Sequence, residues 1–196
     1  KQQLPGAECS NSFALGHFND DGLPDLFTLA SRGSWPKNTT SYQLMLDGAT
    51  GQWLYLDSLG CFNLSSAVSC NLDRDPYDEV IFGVNEYDCG QILQSDSIAN
   101  MSYRLVYLDL PSGQVKSIDQ TPGFKNLFST PWVGDLDADG MLDLVYAQYF
   151  NPNPLPRFMG MQLKRIGLPV RMRTPPAWGA YMGNRGNGLW GQQQTF

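Results

Sequence analysis

Three stretches of the chain carry acidic or amide side chains on one shared spacing, each followed at once by a short apolar run. In the last of them Asp135, Asp137, Asp139 and Asp143 lead into Leu144, Val145 and Tyr146. In the middle one Asn71, Asp73, Asp75 and Glu79 fall at the same places. In the first, Asn19, Asp21 and Asp25 do so, behind His17 at the opening position. The three starts, His17, Asn71 and Asp135, lie 54 and 64 residues apart, the size of one small antiparallel unit with its loops. Repetition at such a period means that neighbouring units bury a continuous core between them, which no unit could do alone.

The spacing has a chemical reading. Calcium takes six to eight hard oxygen ligands, and side chains at loop positions 1, 3 and 5 can curl around one ion. A backbone carbonyl at position 7 (Leu23, Tyr77 or Met141) adds an oxygen, and the carboxylate at position 9 (Asp25, Glu79 or Asp143) closes the shell. Up to three Ca2+ ions are therefore expected. Loop three, acidic at every side-chain position, is the strongest expected site; loop one, which opens on an imidazole, is the weakest. Gly22 and Gly140 stand at position 6, where the turn is tight, and Pro76 stands there in loop two. An EF-hand is excluded, because position 12 holds Thr28, Phe82 and Tyr146 in place of a bidentate Glu. The flanks also read as buried strands rich in β-branched and aromatic residues.

Placed on these residues, the chain resembles the FG-GAP or VCBS repeats of integrin α-subunit propellers and bacterial surface proteins. The resemblance covers residues 10–150. It implies an all-β fold of propeller blades, each of four antiparallel strands, with calcium in the hairpin between two of them. Asp135, Asp137, Asp139 and Asp143 match the family loop fully, Asn71, Asp73, Asp75 and Glu79 match conservatively, and His17 departs from it. The expected units are residues 1–60, 61–125 and 126–170, with loops at 17–25, 71–79 and 135–143, followed by a Pro/Gly-rich basic tail at 171–196. Residues 42–46 and 52–56, and residues 103–108 and 114–118, read as the outer strand pairs of the first two units, joined by turns. Three blades do not close a ring, which needs about four to eight. The propeller is thus expected to be incomplete or to be completed by another chain, including copies of this one.

Charge and cysteine usage narrow the function. The formal net charge is −6, which argues against a nucleic-acid partner and which three calcium ions would cancel. All 19 acids lie at or before Asp143, and six basic residues follow it. Such a tail can pack on its own acidic body or dock on a neighbour. No apolar run approaches the ~20 residues of a membrane span. The opening Lys1 suggests a segment trimmed from a longer precursor. Sequons at Asn38, Asn63 and Asn100, with four cysteines free of zinc-type spacing, point to an oxidising extracellular setting. A Cys61–Cys89 disulfide is expected from the hairpin register, with Cys9 and Cys70 unassigned. His17 is the sole histidine, and no nucleophile motif accompanies it. The expected function is therefore non-enzymatic: a module for adhesion or for recognition of a protein or glycan. Trp35, Trp53, Trp178 and Trp190 are candidate anchors or core residues. A structural subunit of an extracellular assembly, and an accessory segment of a larger secreted hydrolase, are the alternatives.

Overall fold

The structure, a computed structural model, describes residues 2–9, 11–34, 37–86, 102–121, 124–126, 128–150 and 159–190. Over these residues the chain is all-β, with thirteen strands in three antiparallel sheets and no helix. Sheet one holds β1 (Ala7–Glu8), β2 (Ala14–Gly16), β3 (Asp25–Ser34), β4 (Lys37–Leu46) and β5 (Trp53–Ser58). In it β1 and β2 share one edge of β3, and β4 then β5 lie on the other. Sheet two runs in order β6 (Val68–Cys70), β7 (Glu79–Glu86), β8 (Ser102–Asp109) and β9 (Gln114–Gln120). Sheet three places β10 (Phe124–Lys125) and β11 (Trp132–Gly134) on one edge of β12 (Met141–Phe150), and β13 (Met161–Arg171) on the other. The outer strand pairs fall where their apolar alternation predicts. β10 does not: it lies inside 61–125, yet it pairs with β12, Phe124 opposite Phe150, and so belongs to the third sheet.

The sheets stack in sequence order with sheet two in the middle, which explains the composition of β7. A strand covered on both faces needs an apolar run instead of alternation, and β7 supplies Val80, Ile81, Phe82 and Val84, all at most 1% exposed. Phe82 and Val84 pack with Phe27, Leu29 and Met45 of sheet one. Ile81 packs with Leu142, Leu144 and Tyr146 of sheet three. Each such side chain contributes about 1.5–3 kcal/mol when fully buried.

The repeat is visible in the hydrogen bonds between sheets. The Ser12 N–H donates to Ser66 Oγ at 3.0 Å, and the Ser66 N–H donates to Thr130 Oγ1 at 3.0 Å. These three residues stand two places ahead of β2, β6 and β11. The same contact therefore recurs between sheets one and two and between two and three. It also identifies an uncovered surface. Phe27 and Ile81 face the next sheet; their counterpart in sheet three is Val145, one position beyond Leu144 as Ile81 is beyond Val80. Alternation puts Ala147, Met161 and Leu163 on the same face. Met161 and Leu163 are 71% and 68% exposed.

The residues after β13 cross back over the stack. The Met172 N–H reaches Gly140 O at 2.9 Å, Ser69 and Trp178 exchange two backbone bonds, and the Val133 N–H reaches Gly179 O at 2.7 Å. Trp178, 1% exposed, is thereby a core residue, not the surface anchor weighed for it. Basic groups of the last third also meet the acidic body, with Lys164 Nζ 2.6 Å from Asp119 across sheets two and three.

Candidate metal centres

All three loops are closed by one backbone rule. The residue before each loop pairs across the hairpin with loop position 9: Gly16 with Asp25, Cys70 with Glu79, and Gly134 with Asp143. The N–H of position 2 then donates to that carboxylate: Phe18 to Asp25 at 3.1 Å, Leu72 to Glu79, and Leu136 to Asp143 at 2.9 Å. The N–H of position 7 donates to the position 5 carboxylate: Leu23 to Asp21, Tyr77 to Asp75, and Met141 to Asp139, at 2.7–2.8 Å. Gly22 and Gly140 adopt φ of 73° and 81°, the left-handed turn expected at position 6. Pro76 cannot adopt it, so loop two is left-handed only at position 4, Arg74 (φ 76°), where loop three is left-handed as well, at Ala138 (φ 60°).

A further acid enters from outside the motif. β3 and β4 pair Leu26 with Leu46, and β7 and β8 pair Val80 with Leu108, so the next residues, Asp47 and Asp109, fall beside loop position 9. Asp47 joins Asp21 and Asp25, and Asp109 joins Asp73, Asp75 and Glu79; within each group the ligand oxygens lie within 4.8 Å of one another. Both acids belong to turns of identical pattern, Leu46-Asp47 leading to Thr50-Gly51 and Leu108-Asp109 leading to Ser112-Gly113. Each carboxylate also holds its turn, through the Thr50 N–H at 2.6 Å and the Ser112 hydroxyl at 2.6 Å. That repeated turn was the available sequence signal for these two residues.

The third unit lacks the turn. Its corresponding residues are Ile166, Gly167, Leu168, Pro169, Val170 and Arg171, with no acid, no hydroxyl and no closing glycine. β13 consequently runs straight on to Arg171 instead of turning into another strand, and Gly167 stands opposite Asp143 where the other units carry an acid.

The second oxygen of the position 9 carboxylate shows the consequence. In loop one, Asp25 Oδ1 accepts the Gly48 N–H at 2.9 Å and the Asn19 amide at 3.2 Å. Gly48 can approach because a side chain there would strike the Pro24 carbonyl, 2.0 Å from its Cβ position. In loop three, Asp143 Oδ1 accepts Arg165 Nε at 2.7 Å, and the same guanidinium reaches Asp137 at 2.5 Å. In loop two, Glu79 Oε1 is buried and has no hydrogen-bond partner among the described residues. Leu110 sits where Gly48 does, and among the described residues no basic side chain pairs with Glu79 Oε1. Lys116 touches only the rim, 3.4 Å from Asp109.

Proton affinities follow this order. Burial pushes the Glu79 carboxyl up to about 8 against the pull of the Leu72 N–H, and Asp73, Asp75 and Asp109 add to the rise. Burial also raises Asp25, opposed by the Gly48 and Phe18 N–H groups. Asp143 is instead lowered, chiefly by its bond to Arg165. A buried carboxylate crowded by like charges, with one oxygen lacking a donor, is costly unless a cation joins it. The oxygens of loop two thus fit a hard divalent ion, and those of loop three already enclose a charge.

The remaining expected ligands divide. Asp135 and Asp137 converge with Asp143, whereas Asp139 stays outside that group, its carboxylate turned to the Met141 N–H. Asn19 bridges Asp25 and Asp47 through its amide nitrogen. Asn71 directs its amide nitrogen to the carbonyls of Asp75 and Tyr77, 2.8 Å from the latter. The carbonyls of positions 5 and 7 therefore converge on a donor in loop two, and in loop one Leu23 O faces His17 Nδ1 at 3.2 Å. His17 also meets the Trp190 ring edge-on at 5.5 Å.

The glycosylation sites need correction at one position. Asn63 is 2% exposed, and its amide nitrogen, the atom a glycan would occupy, donates to Gly83 O at 2.7 Å. Its Oδ1 accepts from both the N–H and the hydroxyl of Ser65, so the sequon pattern here is a structural turn. Asn38 is exposed, with φ of 51°, and Asn100 lies outside the described residues. For the expected Cys61–Cys89 bridge, Cys61 N–H donates to Asn85 O at 2.8 Å, alongside the far end of β7, and Cys89 lies outside the described residues. Cys9 and Cys70 are free thiols, exposed and buried respectively. Trp35 also lies outside the described residues, and among those residues no helix is long and apolar enough to cross a membrane.

Compared with family models, curated proteins and solved structures, the chain matches none of them.

Proposed function

We propose that this chain is a calcium-stabilised segment of a β-propeller that serves outside the cell as a module for binding a protein or glycan partner. The observation that carries the calcium reading is Glu79 Oε1, a buried carboxylate oxygen with no donor, amid Asp73, Asp75 and Asp109. In loop two these four carboxylates would hold the ion, and in loop one Asp21, Asp25 and Asp47 would. The ion would supply cross-linking charge: it would tie a β-hairpin to the turn of the neighbouring strand pair and remove the repulsion among the acids. Titration of the chelator-treated chain with calcium tests this, with saturable heat expected and the loop-two affinity weakened in Asp109→Asn. A chain that gives no heat has no calcium function.

The propeller reading is supported by the contact repeated between successive sheets and by the face of Val145, Ala147, Met161 and Leu163. That face is equivalent to the ones buried between sheets one and two and between two and three. In a propeller it packs against the next blade. A second reading rests on the same surface: copies of the chain supply the next sheet to one another, making a structural assembly of the extracellular kind. Light scattering separates the two, since a monomer at all concentrations favours a segment whose neighbouring blades belong to the same polypeptide, and a concentration-dependent oligomer favours assembly.

A further inference from the structure

Loop three has the complete acidic motif, yet its geometry departs from that of the other two at one place. On β13, Arg165 and Gly167 are two residues apart and so share a face, and Gly167 pairs with Asp143. Loss of the acid at 167 removes the carboxylate that Asp47 and Asp109 provide elsewhere, and the neighbouring Arg165 fills the gap. Its Nε lies 2.7 Å from Asp143 Oδ1 and its terminal nitrogen 2.5 Å from Asp137 Oδ2. One planar guanidinium thus bridges positions 3 and 9 of the loop, the two ends that a calcium ion would join. Arginine suits this role because its charge is permanent and its donors lie in a fixed fork.

We propose that Arg165 is the resident cation of the third loop, so that the chain takes calcium at loops one and two and not at loop three. The two-ion count rests on the calcium reading above; the role of Arg165 in closing loop three does not. Residues 143, 165 and 167 form a unit: an acid at 167 with an uncharged residue at 165, as Met45 and Tyr107 are at the equivalent places of the first two units, makes a metal site, and Gly with Arg makes a metal-free ion pair. The space for the exchange is present, because a Cβ at Gly167 would meet only Asp143 Oδ1, at 3.9 Å.

The test is calcium stoichiometry by native mass spectrometry, paired with thermal melting in excess chelator. The wild-type chain binds two ions, Asp137→Asn also binds two, and the double variant Arg165→Ser/Gly167→Asp binds three. In chelator, Arg165→Gln melts several degrees below wild type, with Arg165→Lys between them. Three ions on the wild type, falling to two in Asp137→Asn, overturn the proposal, since the metal then displaces Arg165. A chain that binds no calcium while Arg165→Gln still melts early sinks the calcium reading and retains the ion-pair closure of loop three. Unchanged melting of Arg165→Gln in chelator overturns that closure, whatever the ion count.

Discussion

In loop two, four carboxylates converge with a single lysine at their rim; in loop three, three carboxylates converge around a guanidinium. The backbones that carry them are closed by the same two hydrogen bonds, from position 2 to position 9 and from position 7 to position 5. What separates them lies outside the loops, in whether the paired strand ends in an Asp turn, at Asp109, or continues through Gly167 to Arg171. The complete motif therefore does not bring together the larger group of carboxylates. Ligand count and counter-charge are set by the neighbouring strand, and the loop that looks weaker by composition has the stronger need of a cation.

The largest effect expected from this difference is the response to calcium itself. Each filled site stabilises by about 2.7 kcal/mol when free calcium is a hundredfold above its Kd. A chain of this size gains about 2–4 °C in Tm per kcal/mol. Differential scanning calorimetry in calcium and in chelator checks this, and a Tm indifferent to calcium breaks the comparison at its root.

Next in size is a pH effect seen only without calcium. Because the folded Glu79 carboxyl is raised to about 8 from an ordinary 4.5, the folded state holds a proton that the unfolded state has released. Stability is fully present below pH 4.5, declines as pH rises from there, and has lost this contribution above pH 8. The slope is about 1.4 kcal/mol per pH unit at most. Denaturant unfolding across that range in chelator should show the decline, and calcium should abolish it. A slope that persists in Glu79→Gln assigns it to another group.

Substitutions on the two loops sharpen the contrast. Asp109→Asn removes a charge from the four-carboxylate group and should weaken calcium binding at loop two on the order of tenfold, read by titration calorimetry. Asp137→Asn should leave calcium affinity unchanged, because its partner is Arg165. Smallest of all is the outcome at the sequons: peptide mapping of the chain expressed through a secretory pathway should find Asn63 unmodified, since its amide nitrogen is buried on Gly83 O. A glycan there would mean that Asn63 is released from this turn.

Much of this was legible in the sequence, for reasons that differ by element. Position 9 of each loop heads an apolar strand, so the loops and β3, β7 and β12 follow from local pattern. Asp47 and Asp109 belong to strands paired at long range, and only the repeated Leu-Asp turn with its Ser/Thr-Gly end hints that they return to the loops. Arg165 was harder still, because its role follows from the absence of an acid at Gly167. The Asn63 sequon misleads because Asn and Ser two residues apart also make a hydrogen-bonded turn, which is how Asn63 and Ser65 are used. Trp178 was read as an open alternative, and the strand-like exchange with Ser69 that buries it joins residues 109 positions apart.

The central claim is that the Glu79 carboxylate is present for a metal ion and not for the fold. Melting of wild type and Glu79→Gln, each in chelator and in calcium at pH 8, tests it most directly. Glu79→Gln should melt at or above wild type in chelator, because it removes a buried charge that has no counter-charge, and should lose most of the calcium-induced rise. If the variant melts well below wild type in chelator and gains as much from calcium as wild type does, Glu79 is a structural residue and loop two is not the metal site.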